Sequence, residues 1–369
     1  MNIDVLKLTK ELVAIESETH HSNRAVSDHI QAVMEAIGFT VEQVAFDDNG
    51  AEKVSLVGKL GEGEGGLGLF GHSDVVPGGA GWEPYRPEVR DGRLYGRGAC
   101  DMKGAVAAML VAASQVDVAA LRRPVFVAVT SDEETGHLWA INIVANSELL
   151  NAGWPTWSIV GEPTELTPVY AHKGGARIAV TAYGKAAHTS TDRGVSANFL
   201  IAPFLAEMAE LARLFKRDQR FMNHEFDPPT NGFNMVLNDG DCKVNVTAAK
   251  TVCMLGLRAM PDASHEEAVQ MILDRAKAHN LDAEVWSFPP FYASSGAEIV
   301  RAACQVTGAE RALAVPYGTE AVWYQQHSET LVLGPGNIAQ AHTIGEWVEI
   351  EQLQRAVDVY KQMIDIRCS

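Results

Sequence analysis

Three features of the chain predict an α/β fold built in two parts. Short apolar runs with strand character end, one after another, in a histidine or a carboxylate, which is how open α/β sheets present functional groups at the carboxyl ends of their strands. That pattern gives way near Gly174 to a plain α+β stretch and resumes after Pro289-Pro290. With 369 residues, the chain also exceeds the roughly 250–300 at which one hydrophobic core stops growing, so two domains are expected. The expected division is 1–174 with 288–369 as one discontinuous domain, and 175–287 as a smaller insert.

Taken in order, apolar positions fall at helical spacing from Ile3 to Ile15 and from Ser22 to Ile37, the second stripe running Val26, Ile30, Val33, Met34, Ile37 with Gly38 as its stop. Strands are predicted in FTVEQVAF, VSLVGKL and GLGLFGHSDVV. Gly104 to Ser114 is alanine-rich and apolar on most sides, which fits a helix buried against a sheet. PVFVAVTSDEETG and WSIVGEPT read as central strands. In the insert come strand ARIAVTAYG, a helix from Asn198 to Phe215, strands in GFNMVLN, KVNVTA and TVCMLGLRAM, helix HEEAVQMILDRAKAH and strand AEVWSF. After it follow helix Ala297 to Val306, strands RALAVPYG and TLVLGPG, and a closing helix striped by Leu353, Ala356, Val357, Tyr360, Met363 and Ile364.

Composition narrows the function. The chain is 47% apolar and 21% charged, so it is globular. Its formal net charge of −17 argues against nucleic acid or an anionic membrane as partner. Five cysteines (Cys100, Cys242, Cys253, Cys304, Cys368) lack C-x-x-C spacing, so neither a disulfide framework nor a thiolate zinc site is expected, and a reduced, cytoplasmic setting is. MNIDVLKLTKELVAIES is amphipathic without the unbroken apolar core of a signal peptide, and no stretch approaches the ~18 apolar residues of a membrane span. The glycine-rich 61–66 loop has glutamates that would repel a pyrophosphate and no helix pattern after it, so it reads as a turn.

Five blocks carry the chemistry: Gly71-His72-Ser73-Asp74, Asp101 in YGRGACDMKG, Glu133-Glu134 in TSDEETG, Glu162 in GEPT, and His342 in QAHTIGEW. Singly, each is also what a cap, a turn residue or a solvated charge looks like. Together, two imidazoles and three carboxylates form an N/O ligand set suited to a pair of divalent cations, zinc first and cobalt or manganese as alternatives. On an extended strand residues i and i+2 share a face, so the Asp74 side chain is expected to hydrogen-bond one nitrogen of His72 while the other faces a metal.

These blocks, in this order and across nearly the whole chain, resemble the dinuclear-zinc amidohydrolases and peptidases that include acetylornithine deacetylase, succinyl-diaminopimelate desuccinylase, carboxypeptidase G and aminoacylase. The resemblance implies a zinc-exopeptidase-like catalytic domain with an inserted α+β lid that forms a homodimer. It implies that His72 and Glu162 hold one zinc, Glu134 and His342 the other, and Asp101 bridges them, with Asp74 orienting His72 and a cis peptide after Asp101. Glu133 would be the general base acting on a metal-bridging hydroxide. In the lid, His188 of GKAAHTS would stabilise the oxyanion, although such a residue also fits a solvated turn. Asn245 and Arg258 match substrate-contacting positions, with Thr247 standing where the family usually has Pro.

GPGNIAQAHTIGEW and GTEA (318–321) look more like acetylornithine deacetylases, so the expected reaction is N-acetylornithine to ornithine and acetate, in arginine biosynthesis. A desuccinylase, a general aminoacylase or a dipeptidase are the alternatives, and a metal-binding protein without catalysis is the reading from another class. Glu320 either faces the pocket and pairs with a cationic substrate side chain or is a solvated loop carboxylate. The absence of G-x-S-x-G and H-E-x-x-H disfavours a serine hydrolase or a single-zinc protease.

Overall fold

The computed structural model describes residues 3–135 and 140–369. It divides into two compact units, one of Met1–Tyr170, Ala293–Leu313 and Thr319–Ser369, the other of Ala171–Tyr292 with Ala314–Gly318. The second unit begins earlier and ends later than 175–287. The reason is local pairing: His172 and Ala171 pair antiparallel with Phe291 and Tyr292, and Lys173 N–H donates to the Val315 carbonyl.

The first unit is built on a mixed sheet in the order Thr40–Asp48, Ala51–Leu60, Val125–Thr130, Leu67–His72, Trp157–Val160 and Glu329–Val332. The four strands from Val125–Thr130 to Glu329–Val332 run parallel, in registers that set His72 opposite Thr130 and both Phe70 and Val332 opposite Val160. Parallel strands in register deliver whatever follows them to one edge, and here the sequence continues to Glu133, Glu162 and His342. Every residue of Leu67–His72, Val125–Thr130 and Trp157–Val160 is buried, as strands covered on both faces must be. Part of that cover is the helix Lys103–Ser114, buried from Lys103 through Ala113, where small alanines let it lie close to the sheet. Helices Val5–Ala14 and Ile350–Cys368 pack on it in turn.

The second unit is a four-stranded antiparallel sheet, Asn234–Asn238, Lys250–Leu257, Gly175–Tyr183, Asp282–Phe288, with helices Ala197–Leu214 and His265–Ala278 on one face. Ile178, Val180, Ile201, Phe204, Met208, Leu255 and Ile272 form its core. The opposite face is partly open, and the alternation along Gly175–Tyr183 follows from that.

KVNVTA is not the strand its alternating valines predict. Val246 N–H donates to the Lys243 carbonyl and closes a turn, and Val244 is 98% exposed, so the alternation buries nothing. Only Val246 keeps a strand-like contact, an isolated bridge to His188.

Candidate metal centre

The ends of the parallel strands place two imidazoles around one carboxylate. Asp101 Oδ1 lies 3.2 Å from His72 Nε2 and Oδ2 lies 3.3 Å from His342 Nε2, so each oxygen faces a different ring. Glu162 Oε1 joins the His72 side at 3.6 Å and Glu134 Oε2 the His342 side at 3.0 Å. Glu133 also brings a carboxylate oxygen within 4.8 Å of ligand atoms of His72 and Glu162. The Asp101-Met102 peptide is cis, as the resemblance implied.

Local backbone explains how these side chains arrive. Glu162 stands two residues past the strand end at Val160, and Gly334 crosses there, where a Cβ would fall 2.0 Å from the Gly161 carbonyl oxygen, so only glycine permits this approach. His342 holds its ring inward from a left-handed backbone, φ 61°, an uncommon conformation for a residue with a Cβ.

Asp74 corrects one expectation. The His72 Nδ1–H donates to the backbone carbonyl of Asp74 at 2.9 Å, while the nearer carboxylate oxygen is 3.5 Å away. A carbonyl only accepts, so the proton is on Nδ1 and the Nε2 lone pair points at Asp101 and Glu162, as a ligand nitrogen requires. The Asp74 carboxylate instead accepts the backbone N–H groups of Glu133 and Glu134, at 3.2 and 3.1 Å. The alternation rule put the side chain on the right face, but the chain leaves the strand at His72 and the carbonyl turns in.

The electrostatics are those of a site short of positive charge. Burial pushes Glu162 up to about 8, with the Asp101 anion adding to it, and burial likewise raises Glu134 and, well above its ordinary value, Glu133. Hydrogen bonds to Asp101 and Glu134 raise His342 to about 10. Against its burial, Asp101 is held below the usual carboxylate range by the His342 and His72 rings that flank it. Four carboxylates gathered with two imidazoles in a largely buried site match the charge of two divalent cations, and the donor set fits such a pair.

Glu320 is not solvated: its side chain is fully buried, and Thr130 Oγ1–H donates to Oε2 at 2.8 Å. It precedes the short helix Ala321–Tyr324, which turns it in beneath the strand end. A residue that sequence reasoning passed over is Glu346, also buried, whose carboxylate accepts from Arg97 Nη1 and from the N–H groups of Gly98, Cys100 and Asp101. Its only signal was a glutamate between glycine and tryptophan, four residues past His342.

In the second unit, His188 is exposed and its Nδ1 accepts from Ser190 N–H at 3.2 Å, so the ring proton sits on Nε2. The Asn245 carbonyl accepts from Thr189 N–H. Thr247 Oγ1–H donates to the Lys185 carbonyl at 2.6 Å, tying the loop where the family's Pro would stiffen it. Arg258 directly follows the strand Lys250–Leu257, and burial first, then the charge of Arg177, disfavours its own cation.

A sequence model of Peptidase family M20/M25/M40 matches residues 68–366. The chain belongs to this family. An acetylornithine deacetylase of Myxococcus xanthus is 35% identical over 97% of this chain and 96% of its own. Among solved M20 structures, a metallo-carboxypeptidase of Sulfolobus solfataricus superposes with TM-score 0.77 at 16% identity, covering 98% of each chain. A dinuclear metal-binding peptidase of Bacillus subtilis does so with TM-score 0.65 at 14% identity, over 98% of this chain and 97% of that one. The α/β fold is that of the M20 peptidases, and the chain is a metal-dependent amidohydrolase. No helix among the described residues is long and apolar enough to cross a membrane.

Proposed function

We propose that this M20 enzyme hydrolyses the amide of N-acetylornithine to ornithine and acetate, a step of arginine biosynthesis. The observation that carries the catalytic part is Asp101, whose two oxygens address separate imidazoles. In this reading His72 and Glu162 hold one zinc ion, Glu134 and His342 the other, and Asp101 belongs to both; cobalt or manganese would suit the same donors. When bound, the pair supplies Lewis acidity toward a water and toward the amide carbonyl. Glu133 takes the water's proton and returns it to the leaving amine, a transfer helped by burial that favours its protonated form.

The inserted unit supplies the remaining contacts as a lid. His188, with its proton on Nε2, donates to the developing oxyanion. Arg258 grips the α-carboxylate with its planar fork, an anion that would offset the repulsion from Arg177, and Asn245 contacts the substrate beside it. A homodimer through this unit is supported by its edge strand Asn234–Asn238, exposed throughout, with Val236 61% and Leu237 50% exposed.

The choice of N-acetylornithine rests on full-length similarity to an acetylornithine deacetylase and on the GTEA and QAHTIGEW segments. It is tested by stripping the purified protein with a chelator, reloading it with zinc or cobalt, and assaying N-acetylornithine, N-succinyl-diaminopimelate, N-acetylmethionine and a dipeptide. The highest kcat/KM is expected on N-acetylornithine. A preference for the succinyl substrate or the dipeptide overturns the substrate, and activity untouched by the chelator overturns the metal roles.

A further inference from the structure

Asp101 does its bridging from a segment with little structure of its own. Residues 97–102 form turns between a short strand, Arg93–Tyr95, and the helix that starts at Lys103. Their N–H groups find few carbonyls nearby. Those of Gly98, Cys100 and Asp101 converge instead on one side chain: Glu346 Oε1 accepts from Cys100 at 2.9 Å and Asp101 at 3.0 Å, and Oε2 accepts from Gly98 at 3.1 Å and from Arg97 Nη1 at 2.7 Å. Gly98, at φ 83°, supplies the left-handed turn that brings these groups to one point.

Glu346 is itself held. Gly96 N–H donates to its backbone carbonyl at 3.0 Å, and the strand that follows, Trp347–Glu349, pairs antiparallel with Arg93–Tyr95. It stands four residues beyond His342 in the same loop. One carboxylate therefore joins the backbone of the bridging ligand to the loop that carries a ligand of one metal only.

We propose that Glu346 is a positioning residue of the metal centre: by fixing the turn 97–101 it aims the two oxygens of Asp101, and by linking that turn to the His342 loop it makes the two cations bind as a coupled pair. This rests on the two-metal reading above. Glu346 touches neither metal nor substrate in this scheme. Its action is through Asp101.

The test is Glu346→Gln. The amide keeps one acceptor oxygen and turns the other into a donor, so whichever way it sits, donors that need an acceptor meet an N–H instead. With folding checked by circular dichroism, stepwise Co2+ titration against a competing chelator should show both affinities falling about 10–100-fold, the range for a residue that orients a ligand. The visible Co2+ spectrum should change with them, which a general loss of stability would not cause. Arg97→Met, which leaves the three backbone donors on Glu346, should lose much less.

Wild-type affinities and spectrum in Glu346→Gln would overturn the proposal, as would an equal loss in Arg97→Met, which would assign the effect to the ion pair alone. A wild-type protein that takes up fewer than two Co2+ ions per chain would count against the two-metal reading instead. Should the variant not fold, hydrogen exchange on the chelator-treated wild type decides. Slow exchange at the Cys100 and Asp101 amides is expected, and exchange as fast as in the exposed turns overturns the clamp.

Discussion

The carboxylate of Asp74 holds the backbone of Glu133 and Glu134 and leaves the His72 ring to its own carbonyl. Two adjacent N–H groups thus share one buried anion, at the point where the chain leaves the strand Val125–Thr130. The consequence is a division of labour: the backbone of Asp74 fixes the tautomer of His72, the proposed metal ligand, and its side chain fixes where two glutamates diverge.

Asp74→Asn separates these roles. The amide can satisfy one of the two N–H groups, and a buried donor left without an acceptor costs ~1–3 kcal/mol. Turnover at saturating metal should therefore fall about 10–100-fold, with the affinity for the metal held by His72 little changed. Measured by kcat and by Co2+ titration, the opposite pattern, weak metal binding with normal kcat at saturation, would mean that the side chain works through His72 after all.

Glu133 and Glu134 are neighbours with different surroundings, and their alanine variants should differ in kind. Glu134 Oε2 sits 3.0 Å from His342, so its loss should lower metal content together with rate. Glu133→Ala should keep its metals and lose ~10²–10⁴ in kcat, the usual contribution of a general base. Metal analysis beside steady-state kinetics checks both, and a nearly active Glu133→Ala would remove it as base.

Much of this was legible in the sequence because it depends on short-range rules. Apolar runs ending in His72, Glu133-Glu134 and Glu162 predict strand ends, and parallel registers turn strand ends into one edge. What could not be read depends on partners far apart in the chain. Glu346 meets the N–H of Asp101 across 245 residues, and a single glutamate in a loop looks the same whether it holds a turn or faces water. KVNVTA failed for a different reason: alternation marks a strand only where one face is buried, and Val244 lies in solvent.

For His188 the prediction follows from its tautomer. If its Nε2–H reaches the oxyanion as proposed, it acts chiefly in the transition state, so His188→Ala should lower kcat far more than it raises KM. A change confined to KM would show ground-state binding only. If the donor reaches the partner's site in a homodimer, mixing inactive His188→Ala and Glu133→Ala chains should restore part of the activity through hybrid dimers. No recovery among confirmed mixed dimers would reject that arrangement.

Glu320 is where burial reverses the expected readout. Its position in the GTEA segment suggested a partner for the ornithine ammonium, yet its carboxylate lies under the strand end, accepts from Thr130 Oγ1, and is pushed up to about 7 by burial. Thr130 stands opposite His72 in the sheet and leads to Glu133 three residues on. In the proposed reaction a side chain so placed would support the strand end that any substrate meets, whatever that substrate's side chain carries. Glu320→Gln should therefore lower kcat/KM for N-acetylornithine and N-acetylmethionine by the same factor, corresponding to ~1–3 kcal/mol for a disturbed buried hydrogen bond. A loss larger for N-acetylornithine by ~1.5–3 kcal/mol, the range of a charge-assisted bond, would put the carboxylate against the substrate cation. The comparison is informative because the two substrates share the amide, the acetyl group and the α-carboxylate, so only the side chain's charge and shape can split them.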